Sequence, residues 1–112
     1  MKTSELNGVA LDWLVAQCEG LLGFGYRDDM GLLRIILSTD EEEYFMPTLN
    51  WSHGGPIIER EKIELEHDGF QWWARIWADV DFNGTTPLEA AMRCYVASKL
   101  GDDVEVPADL FQ

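Results

Sequence analysis

The side chains and the turn best suited to chemistry lie in the segment 51–60, which reads Trp–Ser–His–Gly–Gly–Pro–Ile–Ile–Glu–Arg. Two glycines before a proline predict a sharp turn, and proline is favoured as the first residue of a helix. Such a turn would aim backbone N–H groups at the space beside His53, Arg60 and a second arginine, Arg75, an arrangement that can hold an anion. Alternatively, the glycines only turn the chain, Arg60 pairs with nearby glutamates and His53 is a polar surface residue.

Tryptophans form the second candidate feature. The run from Phe70 to Val80 predicts a strand with large aromatic side chains on both faces, so one face belongs to the core and the other must be covered by an element, a loop or a partner. Trp51, Trp73 and Trp77 therefore form either a surface for a ligand or partner, or a second hydrophobic cluster inside the domain. The candidate binding residues are Trp51, His53, Gly54, Gly55, Pro56, Arg60, Trp73, Arg75 and Trp77.

Motifs of the common enzyme classes are absent from the sequence. There is no Gly–x–Ser–x–Gly elbow, no glycine-rich phosphate loop ending in Lys–Ser/Thr and no dinucleotide fingerprint. The only histidines, His53 and His67, fall on different predicted elements. Residues 79–84 copy only the start of a calcium loop, because the position of the closing glutamate is Ala90. We expect no catalytic residue, no bound metal and no cofactor.

Acidic residues dominate the charge of the 112-residue chain, with 21 Asp and Glu against 8 Lys and Arg and a net charge of −13. This balance disfavours direct binding to nucleic acid or to anionic membranes. Cys18 and Cys94 are too far apart for a zinc or redox motif, and we expect free, buried thiols in a reducing compartment. The sequence lacks a signal-peptide core and a membrane-spanning apolar run, so we expect a cytoplasmic protein, as a monomer or homodimer.

Two long helices are predicted, one near each end of the chain. The first runs from Gly8 to Glu19 with Asn7 as its N-cap, and its apolar spacing places Asp12 on the solvent side. The second begins at Pro87, where Thr86 opens a capping box.

Between these helices the pattern predicts strands, turns and one short helix. The predicted segments are a loop at 20–31, a strand at Leu32–Leu37, an acidic turn at Asp40–Glu43, a short helix at Pro56–Glu61 and a hairpin of Ile63–Asp68 with Phe70–Val80. We expect a single α+β domain over residues 1–112. Its small antiparallel sheet of three or four strands would be packed by two main helices and one short helix.

Three segments resemble the NinX-like family of phage and prophage proteins, a family of unknown function. They are residues 1–20, 50–61 and 85–107, and their most specific parts read WSHGGPIIE and PLEAAMRCYVAS. Residues 27–46 depart from the family pattern. The resemblance implies a small accessory protein encoded by a phage or prophage and acting in the bacterial cytoplasm, and it implies no reaction, cofactor or functional residue.

Three functions are compatible with these observations. The leading hypothesis is a non-catalytic protein-interaction module that binds a host or phage protein. The second is an acidic nucleic-acid mimic that inhibits a DNA-binding enzyme through the carboxylates of 40–43, 64–68 and 102–109. The third is a small anion-binding module or enzyme centred on the Trp–x–x–Gly–Gly–Pro segment.

Overall fold

The computed structural model describes residues 1–21, 24–38, 41–76 and 81–108. These residues form three α-helices and two antiparallel three-stranded sheets, which confirms the predicted α+β class but divides the strands between two sheets instead of one. The elements are α1 (Gly8–Cys18), β1 (Phe24–Arg27), β2 (Leu33–Ser38), β3 (Glu41–Tyr44), α2 (Trp51–Glu61), β4 (Glu64–His67), β5 (Trp72–Arg75), β6 (Phe82–Gly84) and α3 (Pro87–Leu100), preceded by a 3₁₀ turn at Thr3–Glu5. The strand orders are β1-β2-β3 and β4-β5-β6.

The first sheet contains two strands where the sequence predicted a loop and an acidic turn. Both pair with β2: Gly25 of β1 and Glu43 of β3 lie opposite Ile35. A side chain at Gly25 would lie 3.3 Å from Trp13 of α1, so the glycine lets the strand approach the helix. Glycine and glutamate have low intrinsic preference for strands, and pairing with the apolar central strand overrides that preference.

Helix α2 begins five residues before the predicted start, so the predicted Gly–Gly–Pro turn is wrong. The Asn50 side chain caps the helix by accepting the Ser52 N–H at 2.8 Å. Gly54 lies inside the helix. A larger residue would not fit there, because a Cβ would come within 2.6 Å of the Pro47 carbonyl oxygen and 2.7 Å of Leu88 Cδ2. The glycine therefore permits close packing of α2.

The two long helices agree closely with the prediction. Thr86 caps α3 as expected, since its Oγ1 accepts the Glu89 N–H at 3.1 Å. The Glu89 carboxylate accepts the N–H of Thr85, one residue before the predicted partner, at 3.0 Å. Helix α3 is the main packing element, and its buried residues include Ala90, Ala91, Met92, Tyr95 and Val96.

The core has two parts. The larger cluster joins α1, α2 and α3 to the inner face of the β4–β6 sheet through Ala74, while Ala16, Leu33 and Ile35 form a smaller cluster beneath the first sheet. Neither Cys18 nor Cys94 forms a disulfide, as predicted; Cys94 is buried and Cys18 is half-buried.

Candidate interaction surfaces

The second sheet has one face toward the core and one face away from it. The hairpin register places Glu64 opposite Arg75 and Glu66 opposite Trp73, and Trp73 also lies opposite Asn83 of β6. Because paired residues point to the same side of a sheet, these five side chains share one face, which we call the outer face. The opposite face carries the buried Ala74 and the partly buried Leu65, which pack against the core.

Arg75 is the centre of an ion-pair network on the outer face. Its Nε atom lies 2.8 Å from Asp81 Oδ1, and its two Nη atoms each lie 3.5 Å from a carboxylate oxygen, one of Glu64 and one of Glu66. The hydrogen bond to Asp81 raises the pKa of Arg75 above its ordinary value. Three carboxylates share one guanidinium, so the network keeps an excess of negative charge.

A shallow groove of about 450 Å³ runs over this network. It is lined by Glu64, Leu65, Glu66, Trp73 and Arg75. The groove combines an indole and exposed carboxylates, a composition suited to a ligand that is partly apolar and positively charged.

The turn at the end of this hairpin is held by Asp68. Its carboxylate accepts the backbone N–H groups of Phe70 at 2.8 Å and Gln71 at 2.9 Å, and the Trp73 indole N–H at 2.8 Å. These bonds lower the pKa of Asp68 to about 2, with the Trp73 hydrogen bond as the largest cause, so the carboxylate is ionised at neutral pH. The turn presents Phe70 with 94% of its surface exposed.

Helix α2 presents another candidate surface. Leu49 and Trp51, which we call the α2 patch, are 65% and 53% exposed at the start of the helix. Gly55 lies beside the indole, since a Cβ there would be 3.8 Å from Trp51 Cε3, and Pro56 is exposed one residue further on.

The predicted anion cradle does not form around Gly54. The Gly54 N–H donates to the Asn50 carbonyl at 2.9 Å, and the residue is buried. His53 Nδ1 accepts the Met46 N–H at 3.1 Å, and the imidazole stacks on Phe45 with ring centroids 5.6 Å apart. This imidazole therefore fixes the turn that leads into α2.

Arg60 joins the C-terminal ends of α1 and α2 to Tyr95 in α3. Its guanidinium forms a bidentate pair with Glu19, at 3.0 and 2.6 Å, and also bonds Glu61. The Tyr95 hydroxyl donates to the same Glu19 carboxylate. The bond from Arg60 lowers the pKa of Glu19, while burial and the bond to Glu19 raise the pKa of Tyr95 above its ordinary range. Arg60 thus pairs locally, as the alternative interpretation expected.

The candidate residues from the sequence divide among separate places. Trp73 and Arg75 share the outer face, whereas His53 and Arg60 make unrelated contacts on α2. Trp77 lies outside the described residues. Sequence reasoning did not select Phe70, and it assigned Glu64 and Glu66 only to the surface of a nucleic-acid mimic. Hairpin pairing across Asp68–Gly69 was the signal that could have placed both glutamates beside Trp73 and Arg75.

Metal binding and membrane insertion receive no support from the described residues. Among them, no three His, Cys, Asp or Glu side chains are grouped closely enough to hold a metal ion. None of the helices in this part of the chain is long and apolar enough to cross a membrane.

These features define a small α+β protein of three helices and two antiparallel sheets. The outer face of its β4–β6 sheet is acidic and carries an aromatic side chain. The chain belongs to the bacteriophage P22 NinX family, whose model matches residues 2–99. The match confirms the resemblance of the first two segments and of the third as far as residue 99, and its range also includes residues 27–46. No curated protein matches the chain.

Proposed function

We propose that this protein is a non-catalytic interaction module that a phage or prophage supplies in the cytoplasm of its bacterial host, where it binds a host or phage protein. The observation that carries the proposal is the α2 patch, in which Trp51 is more than half exposed beside the exposed Leu49. Tryptophan is among the residues that contribute most to binding energy at protein interfaces, and its exposure in the free protein is unfavourable.

The support beneath the α2 patch is rigid. Asn50 caps the helix directly before Trp51, and Gly54 fixes the helix against Pro47 and Leu88. A partner would therefore meet a preformed surface and would not have to order the chain on binding.

The rival hypotheses receive less support from the geometry. An anion site needs free backbone N–H groups near Gly54, whereas the Gly54 N–H already donates to the Asn50 carbonyl. A nucleic-acid mimic needs a row of unpaired carboxylates, whereas Arg75 lies among Glu64, Glu66 and Asp81. An arginine within the carboxylates suits recognition of a protein better than imitation of a phosphate backbone.

Affinity capture with matched variants tests the proposal. Tagged wild-type protein and Trp51→Ala are recovered from phage-infected bacteria, and bound proteins are quantified by mass spectrometry. We expect Trp51→Ala to reduce recovery of the specific partner at least tenfold, the effect of losing about 1.4 kcal/mol of binding free energy. Leu100→Ala, which removes an exposed side chain at the far end of α3, serves as the control. Equal recovery with Trp51→Ala and wild type would remove the α2 patch as the contact surface.

A further inference from the structure

We infer that the outer face and the Phe70 tip of the β4–β5 hairpin form a second docking surface, which binds a lysine- or arginine-bearing segment of a protein partner. This surface consists of different residues from the α2 patch, and the inference goes beyond the function proposed above. It rests on the exposure of Phe70, the rigidity of its turn and the charge of the outer face.

The side chain of Phe70 has no role in holding the fold together. At 94% exposure its ring contributes nothing to the core, and the turn is specified by Asp68 and by Gly69, whose φ of +98° favours glycine. An aromatic ring in this position gains from burial only when another molecule covers it.

The hairpin holds this ring ready for contact. Asp68 accepts three hydrogen bonds from its own turn and strand, and the Gly69 N–H donates to His67 Nδ1 at 3.1 Å. A side chain on so constrained a turn loses little backbone entropy when it binds.

Charge identifies the partner's chemistry. Among its described residues, the hairpin region has four carboxylates, those of Glu64, Glu66, Asp68 and Asp81, against the guanidinium of Arg75, a formal excess of three negative charges. The Glu64 and Glu66 side chains remain 66% and 72% exposed and retain free acceptor capacity. A basic segment complements this charge, and an apolar side chain of the same segment can lie against Trp73 and Phe70.

The same charge argues against other occupants. Two outer faces would bring like charges together, which disfavours a second copy of this chain. Nucleic acid and anionic lipid surfaces are repelled for the same reason.

A display library of random twelve-residue peptides, selected against the immobilised full-length protein, tests this inference. We expect enriched peptides to carry at least two Lys or Arg residues beside an apolar side chain. Their affinity should fall at least tenfold on Phe70→Ala, fall at least tenfold on the double change Glu64→Gln with Glu66→Gln, and weaken as salt rises from 0.05 to 0.5 M.

Two control variants establish that the peptides bind at the outer face and the Phe70 tip. Met30 is 75% exposed on the turn of the first sheet, where Asp28 accepts its N–H at 2.9 Å, so Met30→Ala is a matched change that should leave peptide binding intact. Trp51→Ala should also leave it intact, which keeps this result distinct from the test of the α2 patch. Circular dichroism verifies that each variant is folded.

Several outcomes would overturn the inference. They are failure to enrich any peptide, enrichment of acidic or uncharged sequences, and binding that ignores both Phe70→Ala and the glutamate changes. A dimer detected by light scattering that Phe70→Ala dissociates would assign the face to a second copy and would equally refute a basic partner.

Discussion

The Asp12 carboxylate accepts the backbone N–H of Thr48 at 2.9 Å, and this bond ties α1 to the turn before α2 across 36 positions of sequence. Asp12 is only 2% exposed, although its place in the helical pattern predicted the solvent side. That expectation was wrong because the helix is covered on both sides. Burial is the largest cause that raises the pKa of Asp12, from 3.8 to about 7, and the Thr48 hydrogen bond opposes it.

This raised pKa predicts a pH-dependent contribution to stability. The folded state holds the proton more tightly than the unfolded state, so the contribution of Asp12 is fully present below about pH 4 and is lost as the pH rises through 7. The loss amounts to about 4 kcal/mol, because the pKa rises by roughly three units and each unit corresponds to about 1.4 kcal/mol.

Asp12→Asn should remove this dependence, because asparagine keeps an acceptor for the Thr48 N–H without a charge. We expect the variant to gain stability relative to wild type at pH 8 and to differ little at pH 4, as measured by urea unfolding at both values. Asp103→Asn, at an exposed carboxylate, is the control. An equal difference between variant and wild type at both pH values would contradict the burial of an ionisable Asp12.

Two adjacent glycines of α2 should respond in opposite ways to alanine. At Gly54 a Cβ would meet the Pro47 carbonyl oxygen at 2.6 Å, so Gly54→Ala should lower the free energy of unfolding by about 2–3 kcal/mol. At Gly55 the nearest atom is 3.8 Å away, so Gly55→Ala should be neutral or stabilise the helix by up to about 1 kcal/mol. Denaturant unfolding measures both, and similar losses at the two positions would indicate that the pair forms a turn after all.

The pair between Arg60 and Glu19 should couple the ends of α1 and α2. A double-mutant cycle with Arg60→Met and Glu19→Gln should give a coupling free energy of about 1 kcal/mol, modest because half of the Arg60 side chain is exposed. The lowered pKa of Glu19 sets the sign: this stabilisation is present above about pH 4.5 and is lost as the pH falls through the lower folded-state pKa. Urea unfolding of wild type, the two single variants and the double variant at pH 7 and pH 3 measures the coupling free energy at each pH. A coupling that is unchanged at pH 3 would refute an ionic origin.

The Asp68 turn should lose its order when its carboxylate is removed. Asp68→Ala deletes the acceptor of the Phe70 and Gln71 amides, so hydrogen exchange at these amides should accelerate at least tenfold. Asp28→Ala, which deletes the corresponding acceptor for Met30 and Leu32, should affect only those amides. Unchanged exchange at Phe70 in Asp68→Ala would show that other bonds hold the turn.

The parts of the fold predicted best from sequence are those whose causes lie close together along the chain. Thr86 and Pro87 define the start of α3 within three residues, and the alternation around Asp68–Gly69 predicts the hairpin. The strand at Gly25 was missed because its cause, packing against Trp13, lies in another element of the chain. The early start of α2 was missed because Gly54, Gly55 and Pro56 were interpreted as a turn, although the capping residue Asn50 lies directly before the helix.

The candidate surfaces also combine features that local sequence predicts with features that depend on distant parts of the chain. The alternation of a strand is enough to place Trp73 and Arg75 on one face, and the hairpin register adds the glutamates opposite them. The exposure of Trp51 and Phe70 depends on which elements cover each residue, which a single sequence does not specify.

Because the hydrogen bonds of Asp68 and the positive φ of Gly69 shape the hairpin tip without the Phe70 ring, the fold places no requirement on the side chain at position 70. Its side chain can change over generations without endangering the scaffold. If the Phe70 tip docks a partner as inferred, a single substitution at this position would alter recognition without a cost in stability.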